Sequence, residues 1–115
     1  MTRERPDAMY LVTDALTILN RKRVIEFAAA HKIPAMYEFS ILVQDGGLMS
    51  YGASQDENYR RAAAYVDRLF KGATASTLPV ERPSRYYLAV NLKTAQTLGF
   101  TFPPSITVRA DQVVE

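Results

Sequence analysis

Apolar and polar residues follow one another along the first third of the chain in an order that predicts strand, helix and strand. A short apolar run, AMYLV at 8–12, is bounded by polar residues, which is typical of a buried strand. From Asn20 to Lys32 the apolar positions recur at helical spacing, and the residues before them are out of phase, so a bend is expected near Asn20. AMYEF at 35–39 predicts a second strand. This strand–helix–strand (βαβ) unit predicts that the two strands pair in parallel through a right-handed crossover.

A third strand and a long amphipathic helix follow. GLMSYG at 47–52 indicates the strand. Ser54 is a suitable N-cap for the helix, and Glu57 stands where a capping box needs it. Gly72 is placed to end the helix in the left-handed conformation. The apolar residues between these ends form one helical stripe: Tyr59, Ala62, Ala63, Val66, Leu69 and Phe70.

The C-terminal region predicts one more strand and one short helix. Residues 73–84 form a linker rich in small residues and proline, and RYYLAVN at 85–91 predicts a strand. The next residues, 92–99, fit a two-turn helix that ends at a glycine. After a Pro-Pro turn, ITV at 106–108 fits either a strand or a helical turn. Strands that alternate with helices predict an α/β fold with a parallel sheet of βαβ units.

Composition is that of one small globular domain. The chain has 115 residues, of which 48% are hydrophobic and 23% charged. The net charge is +2, and no run of Lys or Arg is long enough to indicate a nucleic-acid partner; RKR at 21–23 fits a solvated helix face. The N-terminus lacks the apolar stretch of a secretory signal, so the chain as written is expected in the cytoplasm.

The residues that carry enzyme chemistry are sparse. The sequence has no cysteine, one histidine and none of the glycine-rich phosphate or nucleophile motifs. His31 follows the predicted helix, where it fits a cation at the helix C-terminus. The acidic residues are scattered, without the spacing of a metal site. We therefore predict no catalytic residues, no metal and no cofactor.

Several segments, in this order, resemble one known family. DAMYLVTD, HKIPAMYE, GGLMSYG, the helix that ends in KG, the linker with LPVE, NLKTAQTLG, the Pro-Pro turn and RADQVVE are similar to the C-terminal part of the ABC transporter substrate-binding proteins. The resemblance implies the type I periplasmic-binding-protein fold, in which two α/β lobes close on a solute by a hinge. Family members are more than twice this length, so the chain resembles a truncated, partial version of that fold.

The resemblance also implies a division of the chain. Residues 1–45 are similar to a βαβ piece of the second lobe, and 46–84 to a hinge strand, helix and linker of the first lobe. Residues 85–115 supply a C-terminal strand, a short helix and a tail. Gly46, Gly47 and Gly52 would then act as hinge positions; the alternative is that they only end a strand and begin a turn.

Ligands of open α/β sheets gather at the carboxyl ends of the strands, which selects the candidate solute-binding residues. Thr13-Asp14 corresponds to a pair that faces the cleft in similar receptors, although a helix cap explains the pair equally well. Tyr37 fits the core at least as well as a ligand platform. The full candidate set is Thr13, Asp14, Tyr37, Glu38, Ser50 and Tyr51.

The resulting functional prediction is a fragment of the solute receptor of an ABC importer. The complete receptor would be extracytoplasmic, bind a small organic solute that is amino-acid-like or aromatic, and dock on an ABC permease. The chain in hand is expected to bind solutes weakly or not at all. The alternative is a small cytoplasmic α/β module without catalysis, in which a homo-oligomer covers the exposed sheet edges.

Overall fold

The computed structural model describes residues 5–115, and the first four residues of the predicted 1–45 piece lie outside them. A five-stranded sheet forms the centre, and its strands follow one another in sequence order. The strands are β1 (Met9–Leu11), β2 (Ala35–Tyr37), β3 (Met49–Ala53), β4 (Tyr86–Asn91) and β5 (Gln112–Val114). The helices are α1 (Ala15–Leu19), α2 (Arg21–Ala30), α3 (Ser40–Gln44), α4 (Gln55–Phe70), α5 (Leu92–Leu98) and α6 (Pro104–Thr107), with a 3-10 turn at Ala75–Thr77.

The strand pairs β1–β2, β2–β3 and β4–β5 are parallel, which confirms the predicted α/β fold. In this register Leu11 lies beside Tyr37, and Tyr37 lies beside Ser50. Partners in a parallel ladder point to the same face of the sheet, so these three side chains form one row across it. The register thus places residues far apart in sequence at the same level of the sheet.

The connection from β1 to β2 has the predicted bend. Two helices, α1 and α2, meet at Asn20, which is the C-cap of the first and the N-cap of the second. After α2 the chain turns through Lys32, whose φ is +51°, and Pro34 prevents continuation of the helix. The apolar residues of α2 that recur at helical spacing, Ile25 and Ala28, are buried against β2.

The buried residues form two clusters. One contains Ile25, Ala28, Ala35, Tyr37 and Leu42, with Met9 and Leu11 packed against it. The other contains Leu48, Val90, Ala95 and Phe102. Asn91, which is 4% exposed, donates from Nδ2 to the Val43 carbonyl at 3.1 Å, and its Oδ1 accepts from the Thr94 N–H at 2.9 Å. One buried amide thereby joins the end of α3 to the start of α5.

The chain divides into two compact units. Unit 1 comprises the residues up to Gly52 together with Tyr87–Glu115, and unit 2 comprises Ala53–Tyr86. The observed boundaries, at Gly52 and Tyr87, differ from the boundaries at 45 and 84 in the sequence-based division. β3 also lies between β2 and β4 in one sheet. The assignment of the pieces to two lobes of a receptor stays a prediction.

Unit 2 is a helix with a strap. Ser54 Oγ accepts from the Glu57 N–H at 3.3 Å at the start of α4, and Gly72 adopts a φ of +99° just after its end, both at the predicted positions. We call residues 75–84 the strap. Arg61 donates to the Arg82 carbonyl at 3.2 Å and to Ser84 Oγ at 2.6 Å, and the Tyr65 hydroxyl donates to the Pro79 carbonyl. Side chains of α4 therefore fix the strap along the helix.

Two elements, α3 and β5, were absent from the sequence-based prediction. The second strand ends at Tyr37 rather than at Phe39, and α3 begins at Ser40 without a side-chain cap. The segment that fitted strand or helical turn is the helical turn α6, and the last strand, β5, lies further on. Both helices have at most five residues, too few to show a helical repeat, and β5 has three residues.

Candidate solute-binding edge of the sheet

Thr13 and Glu38 meet at the carboxyl ends of β1 and β2. The Thr13 backbone N–H donates to Glu38 Oε2 at 3.2 Å. The Thr13 hydroxyl oxygen is buried, and it is the one such side-chain atom within residues 5–115 that has no hydrogen-bond partner. A buried hydroxyl without a partner costs free energy, so a group that can bond to it is stabilised there. We define Thr13 and Glu38 as the candidate site.

Asp14 is the N-cap of α1. Its Oδ1 accepts from the Thr17 N–H at 2.7 Å, and the Thr17 hydroxyl accepts from the Asp14 N–H at 2.8 Å. The backbone N–H of Thr17 holds the pKa of the Asp14 carboxyl below its usual value. The N-cap role alone is enough to explain the position of the Asp14 side chain. Contact of Asp14 with a solute stays a prediction.

Tyr37 and Ser50 are candidate solute-binding residues that lie within strands β2 and β3. Each is 1% exposed, and they are register partners in β2 and β3. Burial raises the pKa of Tyr37 to about 12. These are the positions of core residues, which is the alternative that the sequence left open for Tyr37. Direct contact of either residue with a solute stays a prediction.

Tyr51 is the candidate aromatic residue nearest to the surface. It follows Ser50 in β3, so its side chain points to the opposite face of the sheet, and 48% of it is exposed. The structure therefore separates Tyr51 from the row formed by the partly buried Leu11 and the buried Tyr37 and Ser50. An exposed ring with a hydroxyl is suited to stacking on an aromatic or aliphatic solute.

Each of the three candidate hinge glycines has a local structural requirement. Gly46 follows α3 with a φ of +107°. A Cβ on Gly47 would lie 2.6 Å from Cε2 of Tyr37, and a Cβ on Gly52 would lie 2.1 Å from the Glu38 carbonyl oxygen. The turn accounts for the first glycine, and close approach of neighbouring atoms accounts for the other two. A hinge role for them stays a prediction.

The contact between Gly52 and Glu38 was missed by sequence reasoning. Glu38 touches Thr13 through its carboxylate and stands against Gly52 through its backbone carbonyl. Gly52 is also the last residue of unit 1 before the chain enters unit 2. The sequence shows a glycine, Gly52, at the end of a predicted strand. Only the sheet register shows that the Glu38 carbonyl leaves no room for a side chain there.

A carboxylate and an unpartnered hydroxyl can accept hydrogen bonds from an ammonium or amide group. A carboxylate offers about four acceptor positions, and Thr13 uses one of them. Within the part of the chain that the structure describes, no three His, Cys, Asp or Glu residues are grouped to hold a metal ion.

A shallow groove of about 410 Å³ in unit 2 lies between α4 and the strap, where Arg61 and Tyr65 bond to the strap itself.

A parallel α/β sheet with polar groups at its carboxyl ends is the architecture of a small-molecule binding lobe. The sequence model of the ABC transporter substrate binding proteins matches residues 1–114. The chain therefore belongs to the ABC transporter substrate binding protein family. Among curated proteins, none matches the sequence.

Solved structures agree with this assignment. An ABC domain from Streptococcus pneumonia in complex with L-Trp is 28% identical, with a TM-score of 0.86 over 94% of this chain and 37% of that chain. A conserved domain protein from Vibrio cholerae is 24% identical, with a TM-score of 0.87, and the match covers 93% of this chain and 36% of that chain. A third structure is the ligand-free, open form of a substrate binding protein with adhesive properties from Clostridium difficile. It is 23% identical, with a TM-score of 0.61, and the match covers 91% of this chain and 35% of that chain. The last two show the fold alone.

The chain spans about a third of the length of these three proteins. The fold is consequently that of a partial periplasmic-binding-protein-like structure, as predicted. In residues 5–115 no helix is long and apolar enough to cross a bilayer.

Proposed function

We propose that this chain forms part of the solute receptor of an ABC importer and contributes an ammonium-binding corner to its pocket. The observation that carries the proposal is the unpartnered Thr13 hydroxyl beside the Glu38 carboxylate. A primary ammonium group donates three hydrogen bonds and carries the charge that a carboxylate attracts. The family membership and the L-Trp complex of a relative support an amino-acid-like or aromatic solute.

Membership of the family supports the importer role. A receptor of this class delivers its solute to an ABC permease, and it works outside the cytoplasm. We propose the same partner and location for the complete receptor. Because the chain spans about a third of related proteins, a high-affinity pocket requires groups beyond these 115 residues. Isothermal titration of the chain alone with amino acids and small aromatic acids is expected to show no binding at micromolar concentrations. A micromolar ligand would contradict this.

Weak binding at the proposed corner can be measured by NMR. Millimolar L-tryptophan and tryptamine share an ammonium group, whereas indole-3-propionic acid has the ring and carboxylate without it. We expect the two amines to shift the amide signals of Thr13, Glu38 and Tyr51, and the acid to shift them far less. Glu38→Gln removes the charge and keeps the size of the side chain, so it should abolish this preference. Glu26→Gln, on the exposed part of α2, is the matched control.

The same experiment can refute the proposal. Equal shifts with the acid and the amines would show that no ammonium group is recognised. Shifts confined to residues away from Thr13 and Glu38 would place the binding elsewhere. An unchanged preference in Glu38→Gln would remove the carboxylate from the site.

A further inference from the structure

Glu38 occupies the space that a side chain at position 52 would fill. Apart from its own chain neighbours, the three atoms nearest to a Cβ on Gly52 would all belong to Glu38. They are the carbonyl oxygen at 2.1 Å, the carbonyl carbon at 3.1 Å and Cγ of the side chain at 3.3 Å. Gly52 is buried, and both residues lie in unit 1. The contact therefore does not depend on parts of the receptor beyond this chain.

Position 52 requires glycine for space and not for its backbone angles. Gly52 lies within strand β3, and the glycines of the described chain that have a positive φ are Gly46, Gly72 and Gly99. Extended backbone is accessible to every residue, so an alanine can adopt the strand conformation at this position. Its Cβ would still be too close to Glu38, and the two residues would have to move apart by about 1 Å to restore normal contact.

A shift of that size would disrupt the ammonium-binding corner. The Thr13 N–H reaches Glu38 Oε2 at 3.2 Å, which is already the upper end of the usual range for such a bond. An ammonium group has to reach the Glu38 carboxylate and the Thr13 hydroxyl together, and a binding site tolerates a misplacement of only about 0.5 Å. Gly52 has no side chain that could contact a solute, so its influence on the corner passes through Glu38.

We propose that Gly52 is a positioning residue for the ammonium-binding corner. The absence of a Cβ at position 52 sets where the Glu38 carboxylate stands relative to Thr13, and thereby sets the preference for amine solutes. This inference rests on the proposed function. A hinge at Gly52 would need β3 to move past Glu38, whereas the positioning role needs the contact between them to persist.

The NMR signal of the Thr13 amide proton reports the position of Glu38 without any solute. Charge-assisted hydrogen bonds are stronger than neutral ones and move such signals downfield, so Glu38→Gln should move the signal upfield. We expect Gly52→Ala to produce at least about half of that change, although Glu38 itself is unmodified.

Val90→Ala is the matched control for a general loss of stability. Val90 is 0% exposed in the other buried cluster of unit 1, so the variant weakens the same unit at a distance from Glu38. It should leave the Thr13 amide signal in place, and circular dichroism checks that each variant is folded. An unchanged Thr13 signal in Gly52→Ala, or equal changes in Gly52→Ala and Val90→Ala, overturns the proposal.

Titration with tryptamine and indole-3-propionic acid measures the consequence for binding. Loss of one charge-assisted hydrogen bond corresponds to a dissociation constant for tryptamine that is about ten-fold higher in Gly52→Ala. The weaker response to the acid should be unchanged, and Val90→Ala should keep the preference for the amine. Absence of that preference in the unmodified chain contradicts the proposed function. A preference that is present there and retained in Gly52→Ala contradicts the positioning role alone.

The unmodified chain supplies a second test, which applies even where Gly52→Ala does not fold. Because Gly52 stands against Glu38, tryptamine should shift the Gly52 amide signal together with those of Thr13 and Glu38. The shift at Gly52 should be lost in Glu38→Gln. A Gly52 signal that stays in place while Thr13 and Glu38 respond, or one that responds equally in Glu38→Gln, overturns the proposal.

Discussion

Units 1 and 2 differ in how far their apolar and aromatic side chains are buried. Tyr37 in unit 1 is 1% exposed, whereas Tyr59 in unit 2 is 70% exposed. Every buried residue of the described chain lies in unit 1, where two clusters of buried residues form between strands and helices. Unit 2 has one long helix and a strap, and none of its residues is buried in the described structure. An amphipathic pattern therefore forms a helix locally, but burial requires a partner surface.

The largest expected difference between the units is in the cost of removing a leucine. Leu42→Ala empties a site that is 1% exposed, and we expect the free energy of unfolding to fall by about 2–5 kcal/mol. Leu69→Ala changes a side chain that is 44% exposed, and we expect a loss of about 1 kcal/mol or less. Urea denaturation followed by circular dichroism measures both. Equal losses would show that α4 is as well packed as the core.

A second matched pair compares glycines. Gly52→Ala places a methyl group 2.1 Å from the Glu38 carbonyl oxygen, so the backbone must shift, and we expect a loss of about 3 kcal/mol. In Gly72→Ala the added methyl group has no neighbouring atom within 4 Å, and the only strain comes from the φ of +99°. We expect this strain to lower the free energy of unfolding by about 1 kcal/mol. Denaturation measures the two. Easy acceptance of Gly52→Ala would instead favour the hinge interpretation, because β3 would then be free to move there.

The buried tyrosine of unit 1, Tyr37, predicts that stability depends on pH in the alkaline range. The pKa of Tyr37 is raised to about 12, so the unfolded state releases this proton at lower pH than the folded state does. Stability from this residue is full below about pH 10 and falls by about 2 kcal/mol as the pH rises toward 12. Comparison of the chain with Tyr37→Phe by denaturation at several alkaline pH values isolates this loss. Identical profiles would show that Tyr37 ionises freely.

The smallest expected effect concerns the strap. Arg61→Ala removes the bonds to the Arg82 carbonyl and to Ser84. We expect the local opening free energy to fall by about 1 kcal/mol, which corresponds to about five-fold faster amide hydrogen exchange in the strap. Arg60→Ala, one position away on the exposed side of α4, should leave the exchange unchanged. Equal acceleration by both variants would mean that general helix stability controls the strap.

Local chemistry in the sequence predicted most of the secondary structure. The bend at Asn20, the Ser54 cap and the glycines that end α4 and α5 are all fixed by nearest neighbours along the chain. Gly99 takes a φ of +70°, a conformation that glycine adopts without a Cβ clash. Short elements such as α3 and β5 escaped prediction, since they depend on the neighbours they pack against.

The sequence by itself determined the α/β class, the order of the long elements and the resemblance to a solute-binding family, because these follow from periodicity, capping and motif order. Tertiary structure alone decided that Thr13 meets Glu38, that Gly52 stands against the Glu38 carbonyl, and that Tyr37 and Ser50 are buried. Those facts depend on the register of parallel strands, which joins Thr13 to Glu38, 25 positions apart, and Glu38 to Gly52, 14 positions apart. They also depend on which surfaces have a covering layer, and the pattern of one helix does not specify its partner.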